Sequence, residues 1–185
     1  NDGNSNLKPD LLWLKNRTDD GSNHVVANSS IGWDAPKGEG YAWENGPFGG
    51  QMSVDSTGAE STPQATYGYI SAALTDGFTA AAGGTNGDTV NKNAKDFVAY
   101  QWKVNGGTTS ANTAGGINSE VQVNATAGIS IVTFVADGTT NTIGHGLGVK
   151  PDVVIYKSRN VGGGWLLITD KINGSMDYGY MNTAD

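Results

Sequence analysis

Apolar positions in this chain come in short runs, separated by glycine-rich or polar turns, and several of the runs alternate with a period of two. The clearest run, residues 97–103, places Val98, Tyr100 and Trp102 on one face and Phe97, Ala99 and Gln101 on the other. Runs of this length and period, rich in β-branched and aromatic residues, predict strands. The pattern therefore predicts an all-β chain built from β-sandwich modules of the jelly-roll or lectin-like kind.

One of these runs is present twice. When the first copy is shifted by 142 positions (150 minus 8), five of its residues meet identical residues: Lys8, Pro9, Asp10, Lys15 and Arg17 fall on Lys150, Pro151, Asp152, Lys157 and Arg159. The four residues between aspartate and lysine are apolar or aromatic in both copies. A match of five residues in the same order is not expected by chance in a polar, glycine-rich sequence, and it indicates an internal repeat.

The residue types of the repeat predict its local structure. Proline fixes its own φ and pushes the preceding lysine into an extended conformation, so each unit opens a strand. The continuous apolar run that follows predicts a strand covered on both faces. In each copy a loop and a second apolar run come next, at 24–27 and 165–168, which predicts a β-hairpin.

The repeat also suggests how the chain is divided. Residues 1–104 are expected to form a first β-sandwich module that lacks its opening segment, and residues 105–116 a linker rich in Gly, Thr and Asn. Residues 117–185 then begin a second, similar module, which is incomplete. On this reading both ends of the sequence are interior points of a longer repeated protein.

An aromatic and glycine-rich stretch between residues 28 and 63 shows no clean period and predicts a long loop or short strands over a sheet face. Aromatic rings in such loops can stack on sugar rings, so Trp33, Tyr41 and Trp43 are the candidates for glycan binding. The alternative is that these rings plug the end of a sandwich core.

Composition narrows the classes of function. The net charge is −7 without a basic cluster, which argues against nucleic acid as a partner, and no apolar run predicts membrane insertion. Without cysteine and with two histidines, the chain predicts no disulfide, no metal site and no cofactor. His145, between glycines, is expected to cap a turn or pack in the core, since no nucleophile elbow accompanies it. No catalytic residue is predicted, and the chain is not expected to be an enzyme, although a carboxylate pair assembled by the fold stays open.

Residues 144–159, with Trp165 after them, resemble a module that recurs in bacteriophage virion proteins, especially tail-fibre-like proteins of marine and cyanobacterial phages. The shared features are an His-x-Leu-Gly turn, a proline, an apolar strand, Lys-x-Arg and a hairpin return with an aromatic. Residues 74–79 and 97–103 are similar to later strands of that module. The first copy departs from it by lacking the turn.

The resemblance implies a structural component of a phage virion, most directly a tail fibre or appendage that contributes to assembly and host attachment. The implied partners are other copies of the chain, other virion proteins and a host surface glycan, and the implied location is the virion. The alternatives are a carbohydrate-binding module for receptor recognition and a capsid decoration protein. The resemblance supplies no catalytic residues.

Overall fold

A computed structural model describes residues 7–18, 24–28, 51–59, 68–84, 90–105 and 109–182, and every regular element within these ranges is a β-strand. The strands are β1 (Leu11–Asn16), β2 (His24–Asn28), β3 (Gln51–Ser53), β4 (Tyr69–Leu74), β5 (Gly77–Ala81), β6 (Phe97–Trp102), β7 (Ser110–Asn112), β8 (Ser119–Asn124), β9 (Ile129–Phe134), β10 (Val153–Tyr156), β11 (Leu166–Thr169) and β12 (Asp177–Tyr180). No described segment forms a helix long and apolar enough to cross a membrane.

These strands form sheets with the orders β3-β2-β1-β6, β4-β5, β7-β8-β9 and β10-β11-β12. All pairings between named strands are antiparallel. The prediction of an all-β, sandwich-like chain is therefore confirmed.

The first sheet and the β4–β5 hairpin enclose the core. Alternation along β1 points Leu12 and Leu14 to one face, and both are buried. They cluster with Val25 and Ala27 of the neighbouring β2, and with Ile70 of β4, Val90 and partly buried residues of the hairpin. Two layers of strands thus bury one apolar face between them, which is the sandwich arrangement.

The hairpin that supplies the second layer turns at an Asp-Gly pair, as its sequence predicts. Gly77 has a φ of 114°, a conformation that residues with a Cβ rarely adopt. Its N–H donates to the carbonyl oxygen of Leu7 at 3.1 Å, so the turn is tied to the chain just before β1.

The opposite face of β1 is only half-buried. Its residues Leu11, Trp13 and Lys15 keep part of their surface exposed, whereas the inward residues of the strand do not. The prediction that β1 is covered on both faces is thus wrong for one face, because described strands form a second layer on the inner side alone.

The second copy of the repeat builds the same meander. β10 pairs with β11 and β11 with β12, just as β1 pairs with β2 and β2 with β3. The first hairpin pairs Leu14 with Val25 and the second pairs Tyr156 with Leu166. The strand partners are 142 (156 minus 14) and 141 (166 minus 25) positions apart, so the second hairpin loop is shorter by one residue. The predicted β-hairpin in each copy is confirmed.

Burial differs between the two copies. All four residues of β10 are exposed, so the prediction that this strand is covered on both faces is wrong. The reason is that, within the described ranges, β10 pairs on one edge only and no hairpin covers the sheet as β4–β5 covers β1.

Several polar contacts connect the two halves of the chain. The buried Trp165 donates its Nε1–H to the carbonyl oxygen of Ser53 at 2.9 Å, and the N–H of Gly163 donates to the carbonyl oxygen of Thr57 at 2.8 Å. Strand β7 lies inside the segment 105–116 that we interpret as a linker. The division into modules stays a prediction.

Candidate functional site

The aspartate of the repeat holds the end of β6 in the first copy. Asp10 is fully buried, and its Oδ2 accepts hydrogen bonds from the backbone N–H groups of Val104 at 2.6 Å and Asn105 at 3.0 Å. Its own N–H donates to the carbonyl oxygen of Trp102 at 2.8 Å. The carboxylate therefore holds the backbone just beyond the end of β6. Its hydrogen bonds are charge-assisted, which makes them stronger than hydrogen bonds between neutral groups.

The sequence places this carboxylate through the strand period. Pro9 leads the chain into an extended conformation, and positions i and i+2 of a strand share a face, so Asp10 lies on the same side as Leu12. That side is the interior of the sandwich. A carboxylate there needs donors, because a buried charge without partners is costly.

The third sheet contributes to the same cluster through β8. Gln122 is fully buried, and its Nε2 donates to Asp10 Oδ1 at 3.3 Å and to Asn105 Oδ1 at 3.1 Å. Asn124 donates its Nδ2–H to the carbonyl oxygen of Val104 at 2.9 Å. We call these residues, Asp10, Val104, Asn105, Gln122 and Asn124, the strand clamp. The clamp joins β1, the end of β6 and β8 into one hydrogen-bonded unit.

The other end of β6 is also fastened to the repeat. The N–H of Arg17 donates to the carbonyl oxygen of Asp96 at 2.8 Å, and the N–H of Asp96 donates to Thr18 Oγ1 at 2.9 Å. Between these two anchors β6 pairs with β1 along all of Leu11–Asn16. The repeat unit is thus the docking edge for a strand more than 80 residues away in sequence.

The same residues have other surroundings in the second copy. The side chain of Asp152 is 73% exposed and forms an ion pair with Lys171 Nζ at 2.7 Å. Its carbonyl oxygen accepts a hydrogen bond from the hydroxyl of Thr169 at 2.8 Å. Lys150 forms an ion pair with Asp170, and the hydrogen bond from this lysine is the main cause of the lowered pKa of the Asp170 carboxyl. Asp152 therefore faces solvent at the position where Asp10 is enclosed.

The remaining shared residues occupy the strand ends. Pro9 is buried and Pro151 half-buried, while Lys8 and Lys15 are half-buried and Arg17 is exposed. Lys157 and Arg159 are half-buried, and Lys157 donates its Nζ–H to the carbonyl oxygen of Ser158 at 2.6 Å. Partial burial lowers the pKa of the Lys157 ammonium.

Aromatic side chains lie on the outer face of the first sheet. Trp13 donates its Nε1–H to Nδ1 of His24 at 3.1 Å, and the rings meet edge to face with centroids 5.9 Å apart. On β6, Tyr100 and Trp102 follow each other on the same face with centroids 6.4 Å apart. Tyr100 is 54% exposed and Trp102 37% exposed. This face is therefore an open aromatic surface.

The pKa of His24 is lowered from its ordinary value of 6.5, first by partial burial and then by the nearby charge of Lys15, while Asp55 opposes the shift. The neutral ring also suits the hydrogen bond from Trp13, because only an unprotonated Nδ1 can accept it. A lowered pKa means that the unfolded chain binds the proton more readily than the folded one.

His145 caps a turn, as expected. Its Nδ1 accepts the N–H of Leu147 at 3.2 Å, and its carbonyl oxygen accepts the hydroxyl of Ser130 at 2.6 Å. Gly146 and Gly148, on either side of Leu147, both have a positive φ. The turn is thereby fastened to β9.

The glycan-stacking candidates Trp33, Tyr41 and Trp43 lie outside the described residues. Gln122 and Trp165 were not predicted as contact residues, because their partners at 10 and 53 come from distant strands. The sequence marks Trp165 only as the aromatic of the hairpin return, and no sequence signal marks Gln122. Across the described ranges, no three histidine or acidic side chains are grouped as a metal ion would require.

The strand clamp predicts unequal effects of one substitution in the two copies. Asp10→Ala leaves the buried N–H of Val104 and the partly buried N–H of Asn105 without their acceptor and removes one of the two acceptors of Gln122 Nε2, so it should lower the free energy of unfolding by about 3 kcal/mol. Asp152→Ala is the matched control and should change it by less than about 0.5 kcal/mol, since an exposed ion pair contributes little. Urea unfolding followed by tryptophan fluorescence measures both. Equal losses in the two variants would contradict the role of the clamp.

The lowered pKa of His24 predicts a pH-dependent stability. Because the unfolded chain binds more protons, the contribution of His24 is fully present above 6.5, the ordinary pKa, and is lost as the pH falls from there through the lowered folded value. His24→Gln should flatten the pH dependence of the thermal unfolding midpoint between about pH 7.5 and 5.5. An unchanged pH profile in His24→Gln would refute this assignment.

Comparison with known proteins gives one family. The family described as Domain of unknown function (DUF7483) matches residues 3–185, a range that contains both copies of the repeat. No curated protein and no solved structure matches the chain. The chain belongs to the DUF7483 family of domains of unknown function.

Proposed function

We propose that this chain is a structural component of a bacteriophage virion, a tail fibre or related appendage that contributes to assembly and host attachment. The observation that carries the proposal is the duplicated Lys-Pro-Asp unit, which opens the same three-stranded meander twice. Fibrous and modular proteins use such repetition to extend a scaffold from one kind of building block.

Polar groups in and beside the repeat support this role, because they form hydrogen bonds with the backbone of neighbouring strands. Asp10 binds two backbone N–H groups, Arg17 and Thr18 bind the backbone of Asp96, and Thr169 binds the carbonyl oxygen of Asp152. Each of these contacts positions a strand. A chain whose polar groups fasten strand ends in this way is suited to rigid display.

The phage assignment rests on sequence resemblance. Residues 144–159 resemble a module of tail-fibre-like virion proteins, and the His-x-Leu-Gly turn of that module corresponds to the turn that His145 caps here. The partners that follow from this role are other copies of the chain and other virion proteins, and the location is the virion.

Immunogold labelling of purified phage particles that encode this chain tests the assignment. Antibodies against the folded chain should label the tail or its fibres, and side-chain-resolution imaging of the particle should then show the β10-β11-β12 meander there. Labelling of the head would favour the alternative of a capsid decoration protein. Particles that lack the chain altogether would refute a virion role.

A second function, recognition of a host surface glycan, is favoured by the aromatic surface of the first sheet. Tyr100 and Trp102 expose neighbouring rings on one face, and exposed aromatic faces can stack on the apolar faces of sugars. Both rings are held on β6, which the strand clamp fixes against β1. A rigid platform of this kind limits the entropy lost on binding.

Glycan-array binding of the folded chain measures this second function. Tyr100→Ala should reduce any captured signal by about tenfold, the effect of losing one stacking contact worth about 1.4 kcal/mol. Tyr178→Ala removes a ring that is 70% exposed on the other meander and is the matched control, which should bind as the native chain does. No signal for the native chain, or equal signals for both variants, would exclude the platform as a glycan site.

A further inference from the structure

The β10-β11-β12 sheet exposes an apolar face and a strand edge. Register places Val154 and Tyr156 of β10 on one face together with Leu166 and Ile168 of β11 and with Tyr178 and Tyr180 of β12. Among these residues, the side chain of Tyr156 is 40% exposed. Within the described ranges, β10 pairs only with β11, and no described strand pairs with its other edge.

In the first copy, other strands cover the corresponding face and pair with the corresponding edge. Leu14, the counterpart of Tyr156, is 2% exposed because the β4–β5 hairpin covers its face. The edge of β1 that corresponds to the open edge of β10 is filled by β6 over six register pairs, Leu11 to Trp102 through Asn16 to Phe97. The two meanders therefore differ in what covers them and agree in strand order.

The repeated aspartate marks the open edge as a counterpart of the filled one. Asp10 accepts the N–H groups of the two residues at 104 and 105, just beyond β6. Asp152 stands at the same place beside β10, where its exposed side chain forms an ion pair with Lys171. An exposed ion pair of this kind is weak and can be exchanged for backbone donors.

We propose that the open edge of β10 is an acceptor for an added strand, which pairs antiparallel with β10 and is held at its end by Asp152. The occupant is a strand of the β6 type from another module of the same kind, with alternating aromatic and small residues followed by two backbone N–H groups for the carboxylate. By the 142-residue shift, the register is that of the β1–β6 pair, with Val153 opposite the position of Trp102. Addition of a strand to a sheet edge is a recognised mode of binding, in which the backbone supplies affinity and alternate side chains supply specificity.

An occupant of the β6 type fits better than a second β10. In the first copy it is β6, and not a second β1, that pairs with this edge and supplies the N–H groups for the aspartate. The Val98, Tyr100 and Trp102 face of β6 is the outer one, and its Ala99 packs against the core cluster. A strand with this pattern would add the equivalents of Phe97 and Ala99 to the apolar face of β10 and would place the equivalents of Tyr100 and Trp102 on the other face.

The test uses the whole chain and a fluorescent peptide with the sequence of residues 95–105. Anisotropy titration should show saturable binding, and hydrogen exchange should show new protection of the amides at 153–156. Asp152→Ala should weaken binding by about tenfold or more, the expected loss for charge-assisted bonds. Lys171→Gln removes the ion-pair partner of Asp152 and leaves the carboxylate, so it is the matched control and should bind at least as well as the native chain.

Three results would overturn the proposal: binding that is equal in Asp152→Ala and the native chain, no protection at 153–156, or protection that rises with protein concentration alone. The last result, together with a dimer in sedimentation velocity, would identify a second copy of β10 as the occupant. The inference depends on the repeat and is separate from the virion role, since each can fail in its own experiment.

Discussion

A buried carboxylate closes the first sheet of this protein. Asp10 has no exposed surface, and two backbone N–H groups, 94 and 95 residues further along the chain, reach its Oδ2. Burial of a charge is costly unless hydrogen-bond donors replace the lost water, so the carboxylate and the end of β6 require each other. The side chain of Gln122 adds β8 to the same cluster. The placement of three distant segments thus depends on one aspartate.

The two copies show that the same sequence unit can be enclosed by other strands in one place and exposed in another. In both copies the proline and aspartate open a strand that begins an antiparallel meander. In the first copy an edge strand and a covering hairpin bury the inner face, and the aspartate is enclosed. In the second copy the face is exposed and the aspartate meets solvent. In the first copy the unit accepts β6 as a neighbouring strand, and the layers packed around each copy decide whether its aspartate is buried or exposed.

An open strand edge gives a physical basis for a structural role. Exposed apolar strand edges are liabilities in isolated proteins, because they pair with other chains. In an assembly the same property joins modules through backbone hydrogen bonds. The buried Trp165, bonded to Ser53, already connects the two meanders within the described chain. A structural virion component and a sheet with an open edge are thus compatible, and the aromatic platform of Tyr100 and Trp102 adds a surface for recognition.

Sequence reasoning recovered the local level of this structure. Proline before an apolar run and period-two alternation at 97–103 each predicted a strand that is present, because strand preferences act over a few neighbouring residues. The repeat was found for the same reason. Its aspartates were recognised as a pair, but not as a clamp, since the donors at Val104 and Asn105 meet Asp10 only after folding.

The sequence by itself determined the fold class, the turns and the two equivalent strands. The tertiary structure decided that Leu12 is buried whereas Val154 is exposed, although both occupy the same place in the repeat. It also decided that Asp10 is a clamp and Asp152 a surface carboxylate. The physical reason is that a strand residue is buried by the layers that pack on it. Those layers come from other parts of the chain, so the residues of the strand itself do not determine them.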